Sequence, residues 1–258
     1  FGLAREKHTV DYFRSQAEAN WIKHQQPEIW EETHKYLLLS CYHSYKLTGK
    51  FVDSVASQVG YLPFDFKRHQ WSGHRDWTWK ALPIQPEMLP ELIPCGSELG
   101  VITEQAASET GIPAGLSLIS AGADKACEVL GSGCLGPETG SLSYGTTATY
   151  NSTNRQYMEA IRHLPPYPAA MPDTFNTEMI VQRGYWMVSW FKREFGLREQ
   201  QLAAQQGVAP ETLFDDLLEQ VPPGSMGLVL QPYWNPGIRT PGPEAKGAMI
   251  GIGDVHTR

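Results

Sequence analysis

The stretch Ser120-Ala121-Gly122-Ala123-Asp124-Lys125-Ala126-Cys127-Glu128-Val129-Leu130-Gly131 decides the reading of this chain. Leu116-Ser117-Leu118-Ile119 ahead of it reads as a strand, and a helix is expected from Lys125 onward. A glycine-bearing turn between the two leaves one carboxylate, Asp124, at the mouth of that helix, where α/β sheets bind their ligands. Asp124 then has two readings. It is a base that accepts the proton of an attacking hydroxyl, or it is an N-cap, for which Asp is among the best residues. Taken alone, the cap is the better of the two.

About twenty residues on, Ser141-Leu142-Ser143-Tyr144-Gly145-Thr146-Thr147-Ala148-Thr149-Tyr150 reads as strand, turn and strand. Gly145 allows close backbone approach, and Thr146 and Thr147 bring hydroxyls, so the tip suits a phosphate. An ordinary tight hairpin is the alternative, and is preferred when the motif is taken by itself. A carboxylate and a phosphate cradle in one chain point to phosphoryl transfer, which is mostly positioning and needs one well-placed base. Between them, Gly131-Ser132-Gly133-Cys134-Leu135-Gly136 matches G-x-G-x-x-G by letter. It follows a helix instead of a strand and runs into Pro137, so it reads as a helix end and a connection between domains, not a dinucleotide fingerprint. No Walker loop and no G-x-S-x-G elbow is present.

The 258 residues are 41% hydrophobic, enough for one large domain or two smaller ones. No apolar run approaches the roughly 20 residues of a membrane span, and the first residues do not have the charge order of a signal peptide. Cys41, Cys95, Cys127 and Cys134 show no C-x-x-C spacing, which suits reduced thiols in a cytoplasmic protein. A net charge of −7 without a basic cluster argues against nucleic acid as the main partner. Phosphate handled by an acidic protein calls for metal ions and local amide dipoles. Neither end has the polar taper usual at a domain terminus, so the chain is expected to be an internal piece of a longer protein.

Helical spacing runs over residues 8–26 and restarts at Pro27. Tyr36–Leu39 is strand-like in length, and Cys41–Leu47 is helical with Gly49 as its stop. Asp53 or Ser54 is placed to cap a short helix over Val55–Val59. The aromatic and cationic residues of 64–80 are read as packing on the body in preference to a stacking surface. Strands are expected at 99–103, 116–119, 141–147, 148–153, 179–181, 228–230 and 247–252. Helices are expected at 104–110, 185–195 and 210–220, with Thr212, Leu213, Leu217 and Leu218 of the last facing inward. The alternation makes the class α/β.

Taken in order, several blocks resemble the FGGY carbohydrate kinases. They are Trp21-Ile22 with Pro27-Glu28-Ile29; Leu47-Thr48-Gly49 with Asp53 and Ala56-Ser57; Met88-Leu89-Pro90-Glu91-Leu92 with Gly96, Gly100 and Ile102-Thr103. Gly122-Ala123-Asp124 resembles the family's base-bearing turn, and Ser143-Tyr144-Gly145-Thr146-Thr147 its second phosphate motif. Arg239-Thr240-Pro241, Ala245-Lys246-Gly247 and Gly251 complete the set. The resemblance implies a two-domain α/β fold of the actin/hexokinase/RNase H type, with sugar and ATP in the cleft between domains. Residues 1–136 would be the later part of the first domain and 137–258 the earlier part of the second. It implies ATP and Mg²⁺, with Asp124 as general base and Gly145, Thr146, Thr147 and Gly184 at the nucleotide. Gly122, Asp124 and Lys125 would face a small-molecule sugar or polyol, and the metal ligands are not assigned. The family's first phosphate hairpin and its adenosine motif would lie outside the chain, so this piece alone is expected to be inactive. No nucleic-acid or membrane partner is implied, and a homodimer stays open. Lys125 stands where the family has Gln or Asn, Glu18 near a family Lys, and Asn20 for a Leu. No particular sugar is therefore carried over, and a non-catalytic sugar-binding relative is the alternative.

Overall fold

The computed structural model describes residues 2–60, 62–145, 147–160, 164–181, 183–234 and 244–256. The chain divides into two compact units, Phe1–Ser141 with Asn151–Glu178, and Leu142–Tyr150 with Met179–Arg258.

The first unit opens with three helices, α1 (Gly2–Gln16), α2 (Glu18–Gln25) and α3 (Pro27–Glu32). Ala17 breaks the first two apart and is itself buried, and Pro27 at N1 starts the third. Tyr36–Leu39 does not form the expected strand. Its residues are irregular up to Leu38, and Leu39 already opens α4 (Leu39–Thr48). The short apolar run gains its burial by packing Tyr36 and Leu38 on the core cluster instead of pairing with a strand. α4 ends as expected at Gly49, whose φ of 73° is the left-handed stop. β1 (Val52–Ser54) follows, and a single 3₁₀ turn over Val55–Ser57 takes the place of the expected longer helix. Ser54 caps that turn by accepting the Ala56 N–H at 3.2 Å.

β2 (Phe64–Asp65) and β3 (Gln70–Trp71) form a short antiparallel pair, and α5 (Thr78–Ala81) closes the aromatic stretch. Phe64 is buried, and Trp71 and Trp79 pack on the cluster built from Ala17, Ala19, Leu62, Ala81, Leu82, Ile84 and Leu89. Packing is thus what these aromatics do. β4 (Glu91–Ile93) runs parallel to β1. β5 (Glu98–Val101) pairs antiparallel with β6 (Ser117–Ile119) across α6 (Glu104–Thr110), which Thr103 caps and Gly111 stops. α7 (Asp124–Gly131) comes directly after the turn that leaves β6. A helix, not a strand, feeds Gly131, so the G-x-G-x-x-G letters do not form a dinucleotide fold.

A four-stranded sheet in the order β7 (Ser141–Tyr144), β8 (Ala148–Asn154), β10 (Phe175–Val181), β9 (Tyr167–Pro168) carries the chain on. In the second unit come α8 (Trp186–Phe195), α9 (Leu197–Gln206) and α10 (Pro210–Leu218), then the antiparallel pair β11 (Val229–Gln231) and β12 (Ala248–Ile250). α9 was not expected, because Gly196 reads as a full stop; here the chain bends at Gly196 and resumes the helix at once. On α10, Leu213 and Leu217 are half-buried as expected, whereas Thr212 and Leu218 are exposed and Phe214 packs against Phe191. Among the described residues no helix is long and apolar enough to cross a membrane.

Candidate functional site

In the first unit the site is built on the turn between β6 and α7. Asp124 is the first residue of α7, and the N-cap is Ala123, which offers no side chain to the helix. The capping reading is thereby corrected. Asp124 lies one residue too late to cap, and its Oδ1 instead accepts the N–H of the adjacent Lys125 at 2.6 Å. Oδ2 makes no hydrogen bond among the described residues, and the side chain is exposed.

The backbone of that turn is fixed from three directions. The Ala123 N–H donates to the Ala56 carbonyl at 2.8 Å, and the Ser120 N–H to the Ser97 carbonyl at 2.8 Å. The Ser120 hydroxyl reaches Ser54 Oγ and the Pro94 carbonyl, each at 3.0 Å. Gly122 is closely packed: a Cβ there would stand 3.0 Å from Ala126 Cβ and 3.2 Å from Ala170 Cβ, so both neighbours would have to give by a few tenths of an ångström. Lys125 points along its own helix and pairs with Glu128 at 2.6 Å. Glu178, half-buried in the same unit, has its carboxyl pushed up by burial, a shift that the Asn151 amide and Lys125 oppose.

In the second unit the structure brings together Gly145, Thr147 and Gly184; Thr146 lies outside the described residues. The turn is self-bonded, with the Gly145 N–H donating to the Thr147 carbonyl at 2.9 Å. The Gly145 carbonyl accepts the N–H of Tyr185, the N-cap of α8, at 2.9 Å. Gly184 sits under the turn. A Cβ on it would stand 2.7 Å from both the carbonyl carbon and the oxygen of Thr147, and would collide with the Gly145 oxygen. Gly145 itself is exposed, and among the described residues a Cβ there would meet only the Thr147 oxygen, at 3.9 Å. Gly145 thus offers open space above the turn but no free N–H, and the Thr147 hydroxyl makes no hydrogen bond among the described residues.

Sequence reading did not single out Asp53 as a site feature beyond its place in a motif. It is 2% exposed on β1 and accepts the Ser40 hydroxyl at 2.8 Å, the Gln58 amide at 3.0 Å and the Ser54 N–H at 2.8 Å. Burial pushes its carboxyl up, and these three donors pull it back. The signal available in sequence was slight: an acid between Val52 and Ser54, with one partner adjacent and the others 5 and 13 residues away. Among the described residues no three His, Cys, Asp or Glu side chains converge on a metal position. Glu18 opens α2 on an exposed face, and Asn20 donates to the Ala81 carbonyl at 2.9 Å, a structural contact.

Residues 4–131 match the family model described as the FGGY family of carbohydrate kinases, N-terminal domain. The Escherichia coli protein described as "Uncharacterized sugar kinase YgcE" is 33% identical over 216 residues, 83% of this chain and 43% of that protein. The xylulose kinase of Lactococcus lactis is 27% identical over 241 residues, 92% of this chain and 45% of its own. The crystal structure of xylulose kinase from Rhodospirillum rubrum superposes with a TM-score of 0.74 at 22% identity, covering 96% of this chain and 47% of that one. That likeness shows the fold. The chain thus spans about half the length of the curated relatives it matches.

Proposed function

Since the chain belongs to the FGGY family of carbohydrate kinases, with the two-domain α/β fold of that family, we propose that it supplies part of an ATP-dependent kinase acting on a hydroxyl of a sugar or polyol. Residues 1–136 are taken as the later part of the first family domain and 137–258 as the earlier part of the second, in a cytoplasmic enzyme.

One observation carries the reading: an exposed carboxylate, one oxygen unengaged, stands at the strand-to-helix turn after β6. Asp124 accepts the proton of the substrate hydroxyl as its oxygen bonds to the terminal phosphorus of ATP; the bond from that phosphorus to the bridging oxygen breaks and ADP leaves. Oδ1 is tied to the Lys125 N–H, so the proton goes to Oδ2. Gly122 keeps the turn tight on Ala126 and Ala170, which fixes where that oxygen stands.

The open space over Gly145 and the unengaged Thr147 hydroxyl fit a phosphate oxygen, with Gly184 holding the turn from beneath. Gly145 acts by allowing approach, since its N–H is spent inside the turn. Mg²⁺ commonly binds through one or two carboxylates and the substrate phosphates, and the described residues make no protein cage for it. Its charge would serve the phosphates, and no proton step here depends on it. Lys125 pairs with Glu128 in a partly exposed contact that is readily exchanged for one with substrate.

The test is ADP release by the full-length protein across pentuloses, hexuloses and polyols. At least one substrate is expected to drive ADP formation. Saturable sugar binding without ADP would establish a non-catalytic relative instead.

A further inference from the structure

The Asp124 turn is tied to its own helix through Cys127, whose N–H donates to the Ala123 carbonyl at 3.0 Å and whose thiol donates to the Gly122 carbonyl at 3.4 Å, and its other bonds come from outside that helix. Ala123 gives α7 no side-chain cap, and Asp124 bonds only to its neighbour among the described residues. Two of the bonds that fix the turn come from a single corner, the end of β1 and the 3₁₀ turn after it. Ala56 supplies the carbonyl for Ala123, and Ser54 supplies the oxygen that Ser120 meets. That corner is organised around Asp53. Oδ1 accepts the Ser54 N–H, Oδ2 accepts Ser40 and Gln58, and the Gln58 amide also reaches the Ser54 carbonyl at 2.9 Å. Ser54, Ala56, Gln58 and Ser120 are each no more than 3% exposed, so the middle of this chain of contacts is shielded from water, while Ser40 and Ala123 at its ends are half-buried.

We infer that Asp53 is a positioning residue for phosphoryl transfer: through Ser54 and the Ala56 carbonyl it fixes the turn that presents Asp124. The inference rests on Asp124 being the base. A carboxylate removed from water is costly to keep, and burying an apolar residue of similar size would serve stability at least as well. What an apolar residue would not supply is a set of acceptor positions for three donors at defined angles. Fixed geometry of this kind matters most where a proton acceptor must meet one hydroxyl, since small displacements cost rate without costing affinity.

The experiment compares Asp53→Asn and Asp124→Asn in the full-length protein, with steady-state kinetics normalised to folded protein and thermal unfolding alongside. Asn keeps the shape but sets an amide against the donors. Asp53→Asn is expected to lower kcat about 10- to 100-fold while the KM values for sugar and ATP stay within about threefold. A kcat within about twofold of the parent, or a raised KM at unchanged kcat, overturns the inference. Should Asp53→Asn fail to fold, Ser40→Ala and Ser120→Ala each remove one link. Each is expected to lower kcat several-fold at constant KM, and an unchanged kcat in both overturns the inference. Activity surviving in Asp124→Asn defeats the base assignment whatever Asp53→Asn does. An inactive Asp124→Asn beside a fully active Asp53→Asn defeats only the role of Asp53.

Discussion

Gly145→Ala and Gly184→Ala are the same substitution in one turn and directly beneath it, and the structure assigns them opposite consequences. Neither glycine has a positive φ, so the backbone itself accepts alanine at both. The difference lies in what the new methyl meets. At Gly184 it would stand 2.7 Å from Thr147 backbone atoms that have no rotamer to escape into, and nearer still to the Gly145 oxygen. Ordinary carbon contacts begin at about 3.5 Å, so the turn must move by about 0.8 Å or more. Overpacking of this kind costs about 1–3 kcal/mol. A displacement near 1 Å in a phosphate clamp lowers rate by up to about 100-fold. At Gly145 the methyl points into space, 3.9 Å from its nearest neighbour among the described residues, and a compatible Gly→Ala change stabilises by about 0.4–1 kcal/mol through the unfolded chain. The assay is urea unfolding together with ATP kinetics in the full-length protein. Gly184→Ala is expected to lose both stability and kcat. Gly145→Ala is expected to keep its stability and to raise the KM for ATP at least about tenfold, because the methyl occupies the space assigned to a phosphate. An unchanged KM for ATP in a stable Gly145→Ala would remove the turn from the nucleotide site.

Three further outcomes follow from individual side chains. Near neutral pH, alkylation is expected to label Cys127 first and Cys41 only after unfolding, since Cys127 is exposed whereas burial, reinforced by Asp53, pushes the Cys41 thiol up to about 12; early labelling of Cys41 would contradict this. Burial holds the His69 imidazole below its ordinary value, against the pull of Asp173 and Asp65. Its unfolded form therefore takes up the proton first: its contribution is complete above about pH 6.5 and is lost as pH falls through the folded value. His69→Asn, which tolerates the φ of 55° there, is expected to flatten the fall of the urea midpoint on acidification, and an unaltered slope would refute the assignment. Lys125→Gln is expected to change stability by less than about 0.5 kcal/mol in urea unfolding, as its pair with Glu128 is a partly exposed i,i+3 contact; a loss above about 1 kcal/mol would mean a larger structural role.

Local chemistry made much of the fold legible. Gly49 and Gly111 stop their helices, and Pro27 and Pro210 start theirs, each because a backbone rule at that position leaves little choice, whereas Thr103, expected to end a strand, caps α6. Where several local structures are equally allowed, tertiary packing decided. Tyr36–Leu39 has no period to separate strand from coil, and Gly196 bends a helix path as readily as it ends one. The candidate site residues are legible as sequence letters, but their relations are not. Asp124 looked like a cap because only the register of α7, one residue earlier than expected, takes it out of the cap position. The bonds from Ala123 to Ala56 and from Ser120 to Ser54 join positions more than 60 residues apart and leave no trace in local pattern. The same holds for Gly184, whose need to be glycine is set by a turn some forty residues upstream.

The base assignment is the claim on which the rest depends, and Asp124→Asn in the full-length protein tests it. With sugar affinity followed separately by equilibrium binding, kcat is expected to fall by at least about a thousandfold while sugar affinity stays within about threefold. A variant that turns over within about tenfold of the parent would contradict it.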